Sequence, residues 1–344
     1  MNNTKKSKNL RIKKFFVLFL FILIFIFLFY DIFLVFRFIN IKRINYEIVK
    51  EFDYSISNKM YSYSEYRTLI YEPPPNTQLE HFNPRHTIYK INSDRFRGRE
   101  YSIEKPNGTY RIILLGDSYA FGLHLDENET LAFILEKALN EKIRTYNFEV
   151  LNFGVYGYNL KQEIERLKLR GLKYSPDLVI LWTISNDIED ENRIREIKIK
   201  ILEYCNKTNK ICDKNRLDCQ ARELAFKEAL NNIDQRLKQI KIVLKELEEL
   251  SEDRNFSVII LYADTGSSNF LKSNTQIKKY LGLLNESSKK YGWYFLELNN
   301  KIEEIPLKER IVSMNPYNFH PSPKCSELIS EQLFDFMIKN KIFK

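Results

Sequence analysis

From residue 15 to residue 36 the chain reads FFVLFLFILIFIFLFYDIFLVF, an apolar run broken only by Asp31. A helix of that length covers about 30 Å of hydrocarbon, so the run predicts a transmembrane helix. The preceding MNNTKKSKNLRIKK, residues 1–14, is basic, which predicts a cytoplasmic amino terminus. The following RFINIKRINYEIV offers no small-residue cleavage site, so an uncleaved anchor is expected rather than a signal peptide. Asp31 lies near the outer end of the run, where a carboxylate reaches the interface. The remainder of the chain is therefore expected outside the cytoplasm, held at the cell membrane by this single pass.

Residues 37–105 are rich in Tyr, Asn and Pro and broken at YEPPPN and EKPNG, which predicts a juxtamembrane connector and a lead-in. From residue 106 onward the pattern changes. Short, nearly continuous apolar runs (RIILLGD, FEVLNFG, PDLVILWTISND, SVIILYAD, WYFLELN) predict five strands. Between and after them, apolar positions three and four apart predict helices over DENETLAFILEKALN, capped by Asp126 or Asn128, and over NLKQEIERLKLRGL. Further helices are predicted over residues 219–250 as one long element, over TQIKKYLGLLNESSKKYG and over PKCSELISEQLFDFMIKN. Strands without alternation are buried on both faces, as in parallel sheets. Their regular alternation with helices predicts an α/β fold, a three-layer α/β/α sandwich. Residues 188–219, polar and carrying three cysteines, read as an insertion into the 106–344 domain.

Charge and cysteine content sharpen this reading. The formal charge is +9, but residues 1–43 hold nine Lys/Arg against one acid, leaving the rest of the chain at +1. The basicity belongs to the tail, and no nucleic-acid partner is expected. Cys205, Cys212 and Cys219 recur every seven residues, with Cys325 far downstream. One local bridge, Cys205 to Cys212 or Cys212 to Cys219, suits an oxidising compartment, and free thiols on one helix face suit the spacing equally. No short C-x2-C clip with nearby histidines is present, so the cysteines do not predict zinc; no cofactor is expected.

In such sheets ligands bind beyond the carboxyl ends of the strands, which predicts chemistry after Gly116, Gly154, Asp187 and Asp264. LLGDSYAFG places Ser118 in a tight turn from strand to helix, where its own amide could help hold an oxyanion, while Asp117 orders the turn. LNFGVYGYN brings Gly154, a candidate second amide donor, to the same edge, and WTISND brings the Asn186 side chain as a third. His320 stands in a loop before the final helix, ahead of Pro321, where a general base would follow a distant serine. His81 and His86, flanking FNPR, are expected at the surface, and His124 is a candidate for lining the pocket. The tyrosines of the lead-in are expected to pack on the domain, with a sugar-binding rim as the alternative.

Ser118 in GDS, Gly154, Asn186 in SND and His320 in HP, in this order, resemble the four blocks of the SGNH (GDSL-like) hydrolases. The likeness runs over about residues 90–340, and the lead-in YKINSDRFRGREYSIEKPNGTYRIILLGDS is similar to that of membrane-anchored bacterial members, with Arg95 where they more often carry glycine. The resemblance implies a flavodoxin-like sandwich with a five-stranded parallel sheet, and ester hydrolysis or acyl transfer without a metal. It implies Ser118 as nucleophile, His320 as general base, and an oxyanion hole of Ser118, Gly154 and Asn186. Two positions depart from the pattern. Ile184 replaces the glycine of the third block, and Tyr317 and Asn318 stand where an acid precedes the histidine. Three readings follow: a Ser–His dyad oriented by Asn318 or a backbone carbonyl, charge supplied by another acid such as Asp264, or a decayed site. The expected substrate is an ester, O-acetyl first among them, on a cell-envelope glycan. A lipid esterase or acyltransferase and a non-catalytic binding or assembly protein are the alternatives.

Overall fold

The computed structural model describes residues 60–82, 84–189, 191–208, 214–266, 274–313 and 319–343. The apolar run at 15–36, Asn318, Cys212 and the side chains of Cys205 and Cys219 lie outside the described residues. Among the described residues no helix is long and apolar enough to cross a membrane.

Five strands form the central sheet: β5 (Thr109–Gly116), β6 (Asn147–Asn152), β7 (Leu178–Thr183), β8 (Ser257–Tyr262) and β9 (Tyr294–Glu297). They are parallel and lie in the order β6-β5-β7-β8-β9. The first strand in sequence therefore sits inside the sheet and the connections leave it on opposite sides, creating a crevice at the carboxyl ends of β5 and β7. The absence of alternation has the expected cause: all six residues of β7 are buried. Only β9, at the edge, is half-exposed along its length.

On one face, α2 (Leu131–Lys142) and α10 (Pro323–Lys339) bury Leu131, Leu135 and Leu139 with Ile329, Leu333 and Met337 against Ile112, Leu114 and Ile180. On the other, α3 (Leu160–Arg166), α6 (Ile233–Arg254) and α7 (Thr275–Tyr291) cover Ile113, Leu115, Val179 and Ile260. Two helical expectations are corrected. Asp126 caps only a single 3-10 turn, and α2 starts at Leu131 behind Thr130, whose hydroxyl accepts from Phe133 N–H. The single long helix over 219–250 is two, α5 (Lys214–Asn231) and α6, because Asn232 leaves helical geometry at φ −112°, ψ 30° and caps the second. The insertion is helical as well: α4 (Glu191–Thr208) packs on α5 through Ile194, Ile197, Ala221 and Ala225.

The lead-in packs on the domain through two hairpins, β1 (Ser62–Tyr63) with β2 (Tyr71–Glu72) and β3 (Thr77–His81) with β4 (Thr87–Ile91). Leu69, Tyr71, Leu79 and Tyr89 share a core with Phe121, Leu123, Val155 and Tyr158. Glu72, fully buried, accepts from Arg166 Nη1 (2.7 Å), Arg170 Nε (2.6 Å) and Ser64 Oγ (2.7 Å). Burial alone would raise its carboxyl pKa, but these donors and the two guanidinium charges bring it below the ordinary value. Arg166 also donates to the carbonyls of Phe153 (3.1 Å) and Arg95 (2.7 Å), tying the lead-in to the loop after β6. Arg95 itself takes φ +67°, the conformation that favours glycine.

Candidate active site

β5 ends at Gly116 and the chain turns at once into α1 (Ser118–Phe121), so Ser118 stands at the carboxyl edge of the sheet, 5% exposed. Asp117 caps the turn: its Oδ1 accepts from Tyr119 N–H at 2.9 Å. Ser118 N–H has no acceptor among the described residues and is available to an oxyanion.

His320 reaches this serine from the far end of the chain. Its Nε2 lies 2.8 Å from Ser118 Oγ, against 3.3 Å from Oγ to Asp117 Oδ2. With one hydroxyl proton to give, the serine makes the shorter bond to the imidazole. The loop is held on both sides. Val312 N–H donates to the His320 carbonyl (3.0 Å) and Ser322 N–H to the Arg310 carbonyl (2.9 Å), an antiparallel bridge across Ile311 and Pro321. The Phe319 carbonyl accepts from the Tyr119 hydroxyl at 2.8 Å and lies against the Thr265 hydroxyl, which is 2.9 Å from the Tyr119 oxygen. Tyr119 thus couples the residue after the nucleophile to the residue before the base.

Asn186 sits in the 3-10 turn Ser185–Ile188 that follows β7, and its Nδ2 donates to Asp117 Oδ2 at 3.2 Å. That bond aims the amide toward the serine turn and leaves its second N–H for a ligand. Gly154 differs from expectation. Its N–H donates to Asn152 Oδ1 at 3.0 Å, so it does not serve as an oxyanion donor here. Glycine is needed at 154 for close approach: a Cβ there would lie 2.2 Å from Phe121 N and 2.6 Å from the Ala120 carbonyl carbon, both backbone atoms of α1. Gly157, three residues later, takes φ +74°, and its N–H has no acceptor among the described residues.

Asp264 does not orient the histidine through its hydrogen bonds. Its Oδ2 accepts from Ser185 N–H (3.0 Å) and Oγ (2.6 Å), and its Oδ1 from Gly266 N–H (2.8 Å). It braces the β7 and β8 loops instead. The other histidines are placed unexpectedly. His86 is exposed beside Glu80, but His81 is buried at 9%, because the β3–β4 hairpin turns it inward against Tyr89 and His124. His124, 4% exposed, lies edge-to-face with His320 at 5.3 Å between ring centres.

Electrostatics follow from this burial. Burial, with His81 nearby, pushes the His320 imidazole down to about 4, so at physiological pH it is neutral and free to accept a proton, though a weaker base than a solvated imidazole. Burial, His320 and His81 push His124 to about 2. Burial raises the Asp117 carboxyl against the pull of Tyr119, Asn186 and Ser118. Cys325, on the buried face of α10, is free, and burial pushes its thiol up to about 12. Among the described residues no group of His, Cys, Asp and Glu is arranged to hold a metal ion.

A model of the family described as GDSL-like Lipase/Acylhydrolase matches residues 112–333. No curated protein matches the chain. Among solved structures it is similar to the lipase/acylhydrolase from Enterococcus faecalis, at 15% identity over 67% of this chain and 96% of that one, with a TM-score of 0.43. It is also similar to a mutant of an acetyl-xylooligosaccharide esterase from Geobacillus Stearmophilus, at 11% identity over 66% of this chain and 93% of that one, TM-score 0.44. An acetyl xylan esterase shares 14% identity over 66% of this chain and 98% of that one, TM-score 0.42.

Proposed function

The chain belongs to the GDSL-like lipase/acylhydrolase family, and from that premise we propose that it is a serine esterase with Ser118 as nucleophile and His320 as general base. The observation that carries the proposal is the 2.8 Å approach of His320 Nε2 to Ser118 Oγ at the carboxyl edge of the sheet. His320 Nε2 takes the hydroxyl proton as Oγ bonds to the ester carbonyl carbon. The carbonyl oxygen gains the negative charge and is held by Ser118 N–H and the Asn186 amide. Gly157 N–H takes the place assigned to Gly154, because it is unpartnered and adjoins Tyr156, whose ring stacks on His320 at 6.5 Å. The imidazolium then protonates the leaving alcohol oxygen, and the carbon–oxygen ester bond breaks. Water, deprotonated by His320, attacks the acyl-serine and releases the carboxylic acid and free Ser118.

The burial of His320 keeps its imidazole in the neutral, proton-accepting form. The substrate we propose is an O-acetyl ester on a cell-envelope glycan. Support comes from the basic tail and apolar run at 1–36, which would hold the domain at the outer face of a membrane.

The test is initial-rate hydrolysis of p-nitrophenyl acetate by the detergent-solubilised full chain beside Ser118→Ala and His320→Ala. Each variant is expected to lose at least about 10³ of the rate. Equal rates in all three would refute catalysis at this site. Acetate release from an acetylated polysaccharide, set against hydrolysis of long-chain p-nitrophenyl esters, separates the glycan substrate from a lipid one.

A further inference from the structure

His124 has no role in the reaction just described, yet three features set it apart. It is a non-glycine residue at φ +68°, a conformation disfavoured for any side chain with a Cβ. It is a buried polar ring where an apolar one would pack with less desolvation. And its ring lies against the general base, at 85° to the His320 imidazole and 5.3 Å from it.

The surrounding residues hold this conformation in place. The His124 N–H donates to the Tyr89 hydroxyl at 2.9 Å. Arg97 gathers the carbonyls on either side: Nη1 donates to Phe121 (2.9 Å) and Gly122 (2.7 Å), and Nη2 to Leu125 (2.6 Å). The Arg97 guanidinium lies 4.6 Å above the Tyr89 ring. Behind His124 stands His81, 5.0 Å away at 50°. Tyr89, Arg97 and His81 all belong to the lead-in, which precedes the family match at residue 112. The lead-in therefore fixes a strained loop that sets the His124 ring against the general base.

We propose that His124 is a positioning residue for the general base, clamping the His320 ring from its edge while Tyr156 and Tyr119 pack on its other sides. The inference rests on the esterase reading above. Tyr156 stacks at 26° and 6.5 Å, and Tyr119 lies at 47° and 5.5 Å. Ring packing restricts rotation of the imidazole, so that Nε2 stays on Ser118 Oγ as the proton transfers. The clamp suits this task because it stays uncharged: burial keeps both His124, against the His320 ring, and His81 behind it neutral. A cationic neighbour would oppose the imidazolium that forms.

The test uses two variants of the full chain, assayed on p-nitrophenyl acetate beside wild type and Ser118→Ala. His124→Asn tolerates the left-handed conformation but removes the ring. It is expected to fold, to lose about tenfold or more in kcat and to keep KM within about twofold. The acid limb of its rate profile should move up from about 4 toward the ordinary histidine value as water reaches the base. His124→Phe restores the ring and should return kcat to within about threefold of wild type. A folded His124→Asn with wild-type kcat and an unmoved acid limb overturns the inference. Should that variant not fold, a folded His124→Phe that loses kcat more than about tenfold overturns ring packing, and one that keeps it supports the clamp. Wild-type hydrolysis no faster than Ser118→Ala refutes the esterase reading instead, and is told apart by the wild-type rate alone.

Discussion

Lowering the pH should silence the protein much later than an ordinary histidine base would allow. Burial and His81 take His320 from 6.5 to about 4, a difference worth about 3 kcal/mol in favour of the neutral ring. At pH 5.5 a histidine of ordinary pKa would be about nine-tenths protonated, whereas His320 would be only a few per cent protonated, and the two cases differ about tenfold in active base. The same shift has a consequence for stability. Because the folded pKa lies below the unfolded one, its contribution is complete above pH 6.5 and is lost as pH falls from 6.5 toward 4. His124 behaves alike over a wider window, down to about 2. Each costs about 1.4 kcal/mol per pH unit within its window. Acetate release from a small acetyl ester, measured from pH 7.5 to 4.5 with circular dichroism at each point, separates loss of base from loss of fold. The expected profile is flat to about pH 5. A half-maximal rate near pH 6.5 with the dichroism unchanged would refute the reasoning, since it would require a solvated or charge-paired imidazole.

Gly154→Ala drives a Cβ to 2.2 Å from Phe121 N and 2.6 Å from the Ala120 carbonyl carbon. Neither backbone atom can rotate away, so the variant should lose about 3 kcal/mol and melt some 5–10 °C lower; an unchanged melting temperature would contradict the close packing. Glu72→Gln leaves Arg166 and Arg170 without their buried counter-charge, and a loss of about 3–5 kcal/mol is expected in urea unfolding. A loss below about 1 kcal/mol would show that the network does not anchor the lead-in. Asn318→Asp puts a carboxylate two residues before His320 in the chain. It should raise both the acid limb of the pH profile and the rate, and no change in either would mean that the dyad does not lack an acid.

What was legible in the sequence followed from local rules. The five strands and their burial on both faces could be read because β5, β7 and β8 lack alternation, and only parallel sheets bury strands that way. Ser118, Asn186 and His320 could be placed because each follows its own strand or precedes its own helix. Sequence and structure part where tertiary contacts decide. Gly154 and Gly157 look alike in LNFGVYGYN, and only the packing of α1 against residue 154 and the bond from its N–H to Asn152 tell them apart. His81 looked solvent-bound beside FNPR, because the inward turn of its hairpin depends on Tyr89 and His124 elsewhere in the chain. Thr265 lies one residue beyond Asp264, at the same sheet edge, and that position is the available signal for it. Tyr119 hid beside the serine, its hydroxyl bridging to Phe319, two hundred residues away.

Ser118 as nucleophile can be tested most directly by trapping it. Reaction of the full chain with a fluorophosphonate, followed by peptide mass mapping, should place one phosphonyl adduct on the peptide carrying Ser118. Labelling should vanish in Ser118→Ala and slow sharply in His320→Ala. An adduct on another serine, or labelling that persists in Ser118→Ala, would contradict the account.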